Sequence, residues 1–280
     1  MPILIGVPHG GRRYPKEVVD TMRGGDLTRR RLEDRHIDTV ALALAAETSA
    51  DALLANVPRA ILDLNRAPDD IDWSMVEGRR GRESFRHSAA NRRARSGLGL
   101  VPRRLPGLGE IWKAPIEASE IERRISLVHT PYHRALGNML ANINDRWGAA
   151  LLIDLHSMPP LKQRYAGEEP AEIVIGDRFG ASCHPNLSAF ALQYLAEQGR
   201  RVAHNRPYSG GYVLDRHAAP RRGMHAMQIE ICRSLYLDAE LDQPTARLGA
   251  VVKLLTGLVR GLAREVADLG NTASQPLAAE

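Results

Sequence analysis

Short apolar runs punctuate the chain at Ile3–Val7, Ala52–Val57, Ala60–Leu64, Ala150–Leu155, Glu172–Ile175, Arg201–His204 and Met227–Cys232. Each has the length of a strand, and several are rich in Ile, Leu and Val without strict alternation. That pattern predicts strands covered on both faces, because a strand with one wet face alternates apolar with polar. Between the runs lie longer stretches with apolar positions at helical spacing: Leu27–Ser49, Ile116–Trp147, Leu187–Gln198 and Ala246–Leu269. Asp26 stands where it would cap the first of these. Strand alternating with helix predicts a three-layer α/β/α architecture around a mostly parallel sheet. No repeat and no long linker divides the chain, so residues 1–280 read as one domain.

Gly78 to Gly109 breaks the pattern. It holds Arg79, Arg80, Arg82, Arg86, Arg92, Arg93, Arg95, Arg103 and Arg104 against a single acid, Glu83. Its Gly and Pro content predicts an excursion over the surface, either a solvated insert or a lid.

Composition changes this picture little. Hydrophobic residues make up 44% and charged residues 25%, which supplies enough apolar surface to exclude a mainly disordered chain. No apolar run reaches the ~18 residues that span a bilayer, and the start, Met1-Pro2-Ile3-Leu4-Ile5, lacks the basic lead of a secretion signal. Two cysteines, Cys183 and Cys232, make no disulfide framework and fit a reducing, cytoplasmic setting as buried small hydrophobes. The net charge is +5, and only Lys16, Lys113, Lys162 and Lys253 are lysines, so arginine carries nearly all of the positive charge. Such a balance attracts nucleic acid or small anions alike.

Chemistry concentrates just after the apolar runs, where open α/β sheets bind ligands. Ile3–Val7 leads into Pro8-His9-Gly10-Gly11, and Ala150–Leu155 leads into His156-Ser157. Two histidines at two strand ends suit a catalytic zinc, which takes three protein ligands and leaves a position for water. The third ligand is expected to be a carboxylate from Glu33-Asp34-Arg35-His36-Ile37-Asp38, where Asp34 and Asp38 would share a helical face. Asp63-Leu64-Asn65-Arg66 sets an amide beside a guanidinium, a pair suited to a carboxylate, and Arg59 precedes it by seven positions from Arg66. Glu230, among apolar neighbours in Met227–Cys232, suits a proton shuttle or a buried partner for an arginine. Asn205-Arg206-Pro207-Tyr208-Ser209-Gly210-Gly211-Tyr212 reads as a turn in which Tyr208 would cover a pocket. Ser157 lacks the Gly-x-Ser-x-Gly elbow of a serine hydrolase, and there is no Walker loop or Gly-x-Gly-x-x-Gly for a nucleotide.

Taken in order, Pro8-His9-Gly10-Gly11, Glu33-Asp34 with Asp38, Asp63-Leu64-Asn65-Arg66, Pro131-Tyr132-His133, Asp154-Leu155-His156-Ser157, Asn205 with Pro207–Tyr212 and Gln228-Ile229-Glu230 resemble the N-formylglutamate amidohydrolase family. The resemblance runs from about residue 3 to 240, and it includes the stretch Gly97–Arg104. That family is in turn similar to zinc carboxypeptidases and aspartoacylases. The resemblance implies their mixed, mostly parallel α/β/α fold and one Zn²⁺ held by His9, His156 and a carboxylate. It makes Glu230 the general base, gives Arg59 the developing oxyanion, and gives Asn65 and Arg66 the substrate carboxylate. Tyr208, Gly210 and Gly211 complete the substrate contacts. The related enzymes take their acidic ligand three places after the first histidine, but Arg12 stands there in this sequence. Asp34 is therefore the first choice, with Asp38 second and Glu33 third. The expected activity is hydrolysis of an N-acyl acidic amino acid, foremost N-formyl-L-glutamate, in histidine catabolism. The expected partner is a small anionic substrate, with no nucleic acid and no membrane. Alternatives are an amidohydrolase or carboxypeptidase with another acyl or peptide substrate, separable by the acid released, and a basic nucleic-acid-binding protein, separable by salt-dependent binding without metal.

Overall fold

The computed structural model describes residues 1–78 and 92–273. These fall into two compact units. The first is made of Met1–Val7, Arg35–Leu54 and the described residues from Leu136 onward, and the second of Pro8–Asp34 and the described part of Ala55–Ala135.

The first unit is built on a six-stranded sheet: β1 (Ile3–Val7), β2 (Asp51–Leu54), β3 (Ala150–Met158), β4 (Ile173–Gly176), β5 (Val202–His204) and β6 (Met224–Cys232). The order is β2-β1-β3-β6-β4-β5. All neighbours are parallel except β6 and β4, so the sheet is mixed and mostly parallel. The expected α/β fold is what the structure has.

Register sorts the side chains into two faces. Leu155, Ile229 and Ile175 are paired across β3, β6 and β4, and they point into the main core. There they meet apolar residues of the helices Ile37–Thr48, Pro185–Glu197 and Leu248–Ala273. The adjacent row, His156, Glu230, Val174 and Ala203, belongs to the opposite face. Asp154 and Gln228 form another paired row on that face. The C-terminal halves of the central strands thus carry His156, Glu230, Asp154 and Gln228 on one side and, apart from Ser157, apolar side chains on the other.

The second unit has little regular structure. It holds the helices Lys16–Thr21 and Gly25–Leu32, the two-residue ladders Val76–Glu77 with Ile116–Glu117 and Arg104–Leu105 with Gly109–Glu110, and the helix Ala118–Arg124. That helix runs through a π turn, Ile125–His129, into Thr130–Trp147, whose residues from Leu136 belong to the first unit.

Three expectations need correction. Leu27–Ser49 is not one helix: Gly25–Leu32 ends where Glu33 turns extended, and Ile37–Thr48 begins only after His36 takes a left-handed conformation. Asp34 therefore lies in the break, and the helical face expected to join it to Asp38 does not exist. Asp26 lies inside the first turn and pairs with Arg29, while Gly24 holds the cap position. Ala60–Leu64 is not a strand. It is apolar because Ala60, Ile61, Leu62 and Leu64 are buried in an irregular segment, pinned where the Asp63 amide donates to the Leu100 carbonyl at 2.7 Å. Burial without a ladder leaves the same apolar signature as a strand.

The arginine-rich stretch divides. Arg79, Arg80, Arg82 and Arg86 lie outside the described residues. Further on, Ala94, Leu100, Val101 and Leu105 are buried, and Arg103 pairs with Asp72 at 2.8 Å. From Ala94 the chain is packed rather than draped over a surface.

Candidate active site

Pro8 and His9 directly follow β1, and His156 sits on β3, the strand that β1 pairs with. Gly11 is required for a steric reason. A Cβ on it would meet Asn56 O and the Val57 carbonyl at 2.5 Å, beside the bridge from Gly11 to Pro58. Backbone approaching backbone is what places glycine there.

His9 is fixed from one side. Its Nε2 donates to Asp63 Oδ1 at 2.7 Å, and its Nδ1 lies 3.6 Å from Asp34 Oδ2. Burial alone would raise the Asp63 pKa, but Arg59, His9 and Arg66 hold it well below the usual carboxylate range. An ionised Asp63 accepts and cannot donate, so His9 Nε2 carries a proton, and in the neutral imidazole Nδ1 is the lone-pair nitrogen. His156 repeats the device, with Nε2 2.9 Å from Asp154 Oδ2. Carboxylates behind imidazoles set tautomer and ring orientation in metal sites.

His9, Asp34 and His156 are all buried, each offers one ligand atom, and these atoms lie within 4.8 Å of one another. This group can hold a metal ion. Asp34 stands in it, while Asp38 and Glu33 do not appear in any such group among the described residues.

Asp63 also organises the segment after it. Its Oδ1 accepts from the Asn65 amide at 2.9 Å and its Oδ2 from Arg59 Nε at 2.8 Å. Arg66 Nε donates to Leu98 O at 2.9 Å and Nη1 to Asn65 O at 2.6 Å. Burial presses the Arg66 pKa downward, opposed by the charge of Asp63. Two buried histidines brace the same backbone: His129 Nε2 lies 2.9 Å from Arg66 O, and His133 Nε2 lies 3.0 Å from Leu64 O. His133 is the histidine of Pro131-Tyr132-His133.

Glu230 is 7% exposed and accepts from the Gln228 amide at 2.8 Å. Its register partner on β3 is His156. Ser157, read as an unlikely nucleophile, accepts from Arg233 Nε at 3.1 Å and is a structural tie between β3 and the end of β6. Tyr208 packs against Met158, Val174 and Cys232 on the face that carries Glu230. Gly176 lies so close to the Tyr208–Gly210 backbone that a Cβ would meet it at 2.7 to 3.0 Å. Gly210 has φ +99, a conformation open to glycine, whereas Gly211 has an extended φ of −128 and needs no such freedom.

Asp154, Asp63 and Gln228 stand in motifs read from the sequence but were given no role there. Asp154 and Gln228 were findable, since each lies two positions before its functional neighbour and thus on the same face of its strand. Asp63 had no such signal, because its bond to His9 spans 54 positions.

Set against known proteins, the chain is an amide-cleaving hydrolase. A family model described as N-formylglutamate amidohydrolase matches residues 1–237, and the chain belongs to that family. An N-formylglutamate deformylase of Pseudomonas aeruginosa is 29% identical over 249 residues, covering 86% of this chain and 84% of that one. One from Pseudomonas putida is 28% identical over 261 residues, covering 88% of each. The crystal structure of an N-formylglutamate amidohydrolase from Ralstonia eutropha JMP134 superimposes with a TM-score of 0.82 at 29% identity, covering 95% of this chain and 94% of the other.

Proposed function

We propose that this protein hydrolyses N-formyl-L-glutamate to L-glutamate and formate with one Zn²⁺ held by His9, Asp34 and His156. The observation that carries the reading is the buried group of two imidazoles and one carboxylate, with Asp63 and Asp154 behind the imidazoles. Two nitrogens and one oxygen are the donor set of a catalytic zinc with an open position. When bound, the ion supplies Lewis acidity to a water and to the scissile carbonyl.

The chain's own residues do the rest. Glu230 takes the proton of the attacking water and passes it to the departing amine, and the Gln228 side-chain amide steadies its carboxylate. Arg59, oriented by the bond from its Nε to Asp63, stabilises the oxyanion. Asn65 and Arg66 bind a substrate carboxylate, on a backbone that His129 and His133 hold still. Tyr208 covers the substrate, and Gly210 and Gly211 complete its contacts.

The decisive experiment is metal analysis of the purified protein, with formate release measured before chelation, after it, and after zinc is restored. The expected result is one zinc per chain and activity that disappears and returns with it. Full turnover by metal-free protein overturns the zinc reading.

A further inference from the structure

N-formylglutamate has two carboxylates, and the proposed function assigns one of them to Asn65 and Arg66. The first unit holds a cavity of about 470 Å³ whose chemistry suits the other. Leu161, Ala203 and Pro207 give it an apolar wall, and Lys162 and Arg206 bring two cations to its rim. Arg164 also borders it but is committed to Glu168 at 2.7 Å. Lys162 and Arg206 form no ion pair among the described residues. The cavity therefore presents an excess of about two positive charges over a hydrocarbon floor.

Its position follows from register. Ala203 ends the row that begins with His156 and continues through Glu230 and Val174. Neighbouring strands lie ~4.8 Å apart, which puts Ala203 roughly 10 Å from Glu230 along the same face of the sheet. Leu161 and Ala203, which line the cavity, also pack against the cluster of Met158, Val174 and Cys232 on this face.

The backbone under Arg206 is firmly built although its side chain is exposed. Asn205 is buried with φ +61, and its amide donates to Ile175 O at 2.8 Å. Its side-chain oxygen accepts from the Asp177 amide at 3.0 Å, and its Nδ2 donates to Asp177 Oδ1 at 2.7 Å. Asp177 is secured further by Ser188 at 2.6 Å. A buried network of this kind fixes where the guanidinium starts from.

We infer that this cavity is the subsite for the side-chain carboxylate of the substrate, with Arg206 and Lys162 as its cationic donors. The inference rests on the deformylase reading and names the residues that make it selective for an acidic amino acid. An uncharged amide in the same place would leave both cations unneutralised, so N-formylglutamine is discriminated against.

The test compares wild type with Arg206→Ala, Arg206→Lys and the Arg206→Ala/Lys162→Ala double variant. kcat and KM are measured on N-formyl-L-glutamate and N-formyl-L-glutamine, and glutarate binding by calorimetry. In the double variant, KM for the glutamate substrate should rise about 10- to 100-fold and kcat should change little, while the glutamine substrate is hardly affected. Arg206→Lys should retain most of the discrimination. Glutarate should bind competitively with substrate and lose affinity by the same factor; glutarate bound at this cavity without competition would make it a separate carboxylate site and overturn the proposal. Equal losses on both substrates would overturn it too. Should wild type release no formate while the double variant loses glutarate affinity, the subsite stands and the deformylase reading falls. Equal glutarate affinity in wild type and double variant sinks the subsite whatever the turnover.

Discussion

Asp63→Asn probes the pivot of the site. The carboxylate takes three donors: His9 Nε2 and the Asn65 amide on Oδ1, and Arg59 Nε on Oδ2. Asparagine has one acceptor oxygen and one NH₂. If the oxygen stays with His9 and Asn65, the NH₂ confronts the Arg59 N–H, donor against donor. If it flips, His9 Nε2 must become an acceptor, the ring proton moves to Nδ1, and the nitrogen facing Asp34 can no longer ligate. Removing one partner of a buried ion pair costs about 3–5 kcal/mol. The Arg59 side chain is 21% exposed, and water recovers part of that, leaving about 2–3 kcal/mol. Loss of a carboxylate behind a ligating histidine should also weaken zinc about 10- to 100-fold. Urea unfolding of metal-free protein reads the first effect, and zinc competition against a chelating dye reads the second. A variant with an unchanged urea midpoint and unchanged zinc affinity would refute the pivotal role.

Glu230→Gln should reduce formate release about 100-fold or more while zinc content stays at the wild-type level, because the group moves protons and does not ligate. Turnover at the wild-type rate would remove Glu230 from the base role. Gly11→Ala should cost about 1–3 kcal/mol or more, since its Cβ meets backbone at 2.5 Å and backbone cannot rotate away; thermal unfolding measures it, and an unchanged Tm counts against the close approach. Burial, aided by Arg216 and His184 respectively, pushes His217 and His225 down to about 4 from 6.5. The unfolded chain therefore takes up protons below pH 6.5 that the folded chain refuses. Their contribution to stability is complete above pH 6.5 and lost as pH falls toward 4, up to about 3 kcal/mol for each. His225→Asn should flatten urea midpoints measured across that window, and a slope equal to that of wild type would be the refuting result.

The sheet was legible because its strands are wrapped in apolar groups: Ile3–Val7 and the C-terminal part of Met224–Cys232 announce themselves by composition. The helix Leu248–Ala273 did so by periodicity. The break at Glu33–His36 was not legible, since Leu27–Ser49 keeps helical spacing through it. Ala60–Leu64 misled for the complementary reason, being buried without belonging to a ladder.

In the buried His9, Asp34 and His156 group, the two histidines were legible because each comes at the end of an apolar run. The roles expected of Glu230, Asn65 and Arg66 came from family resemblance. Alternation along a strand is a property of two neighbouring residues, so a sequence determines it alone. It ranked Asp34 ahead of Asp38 and Glu33, but it could not place Asp34 against the two histidines, nor determine the bond from Asp63 to His9 or the register that lines up His156, Glu230, Val174 and Ala203. Those depend on where distant segments meet, and the free energy that selects one meeting is spread over the whole packed core rather than written in any local run.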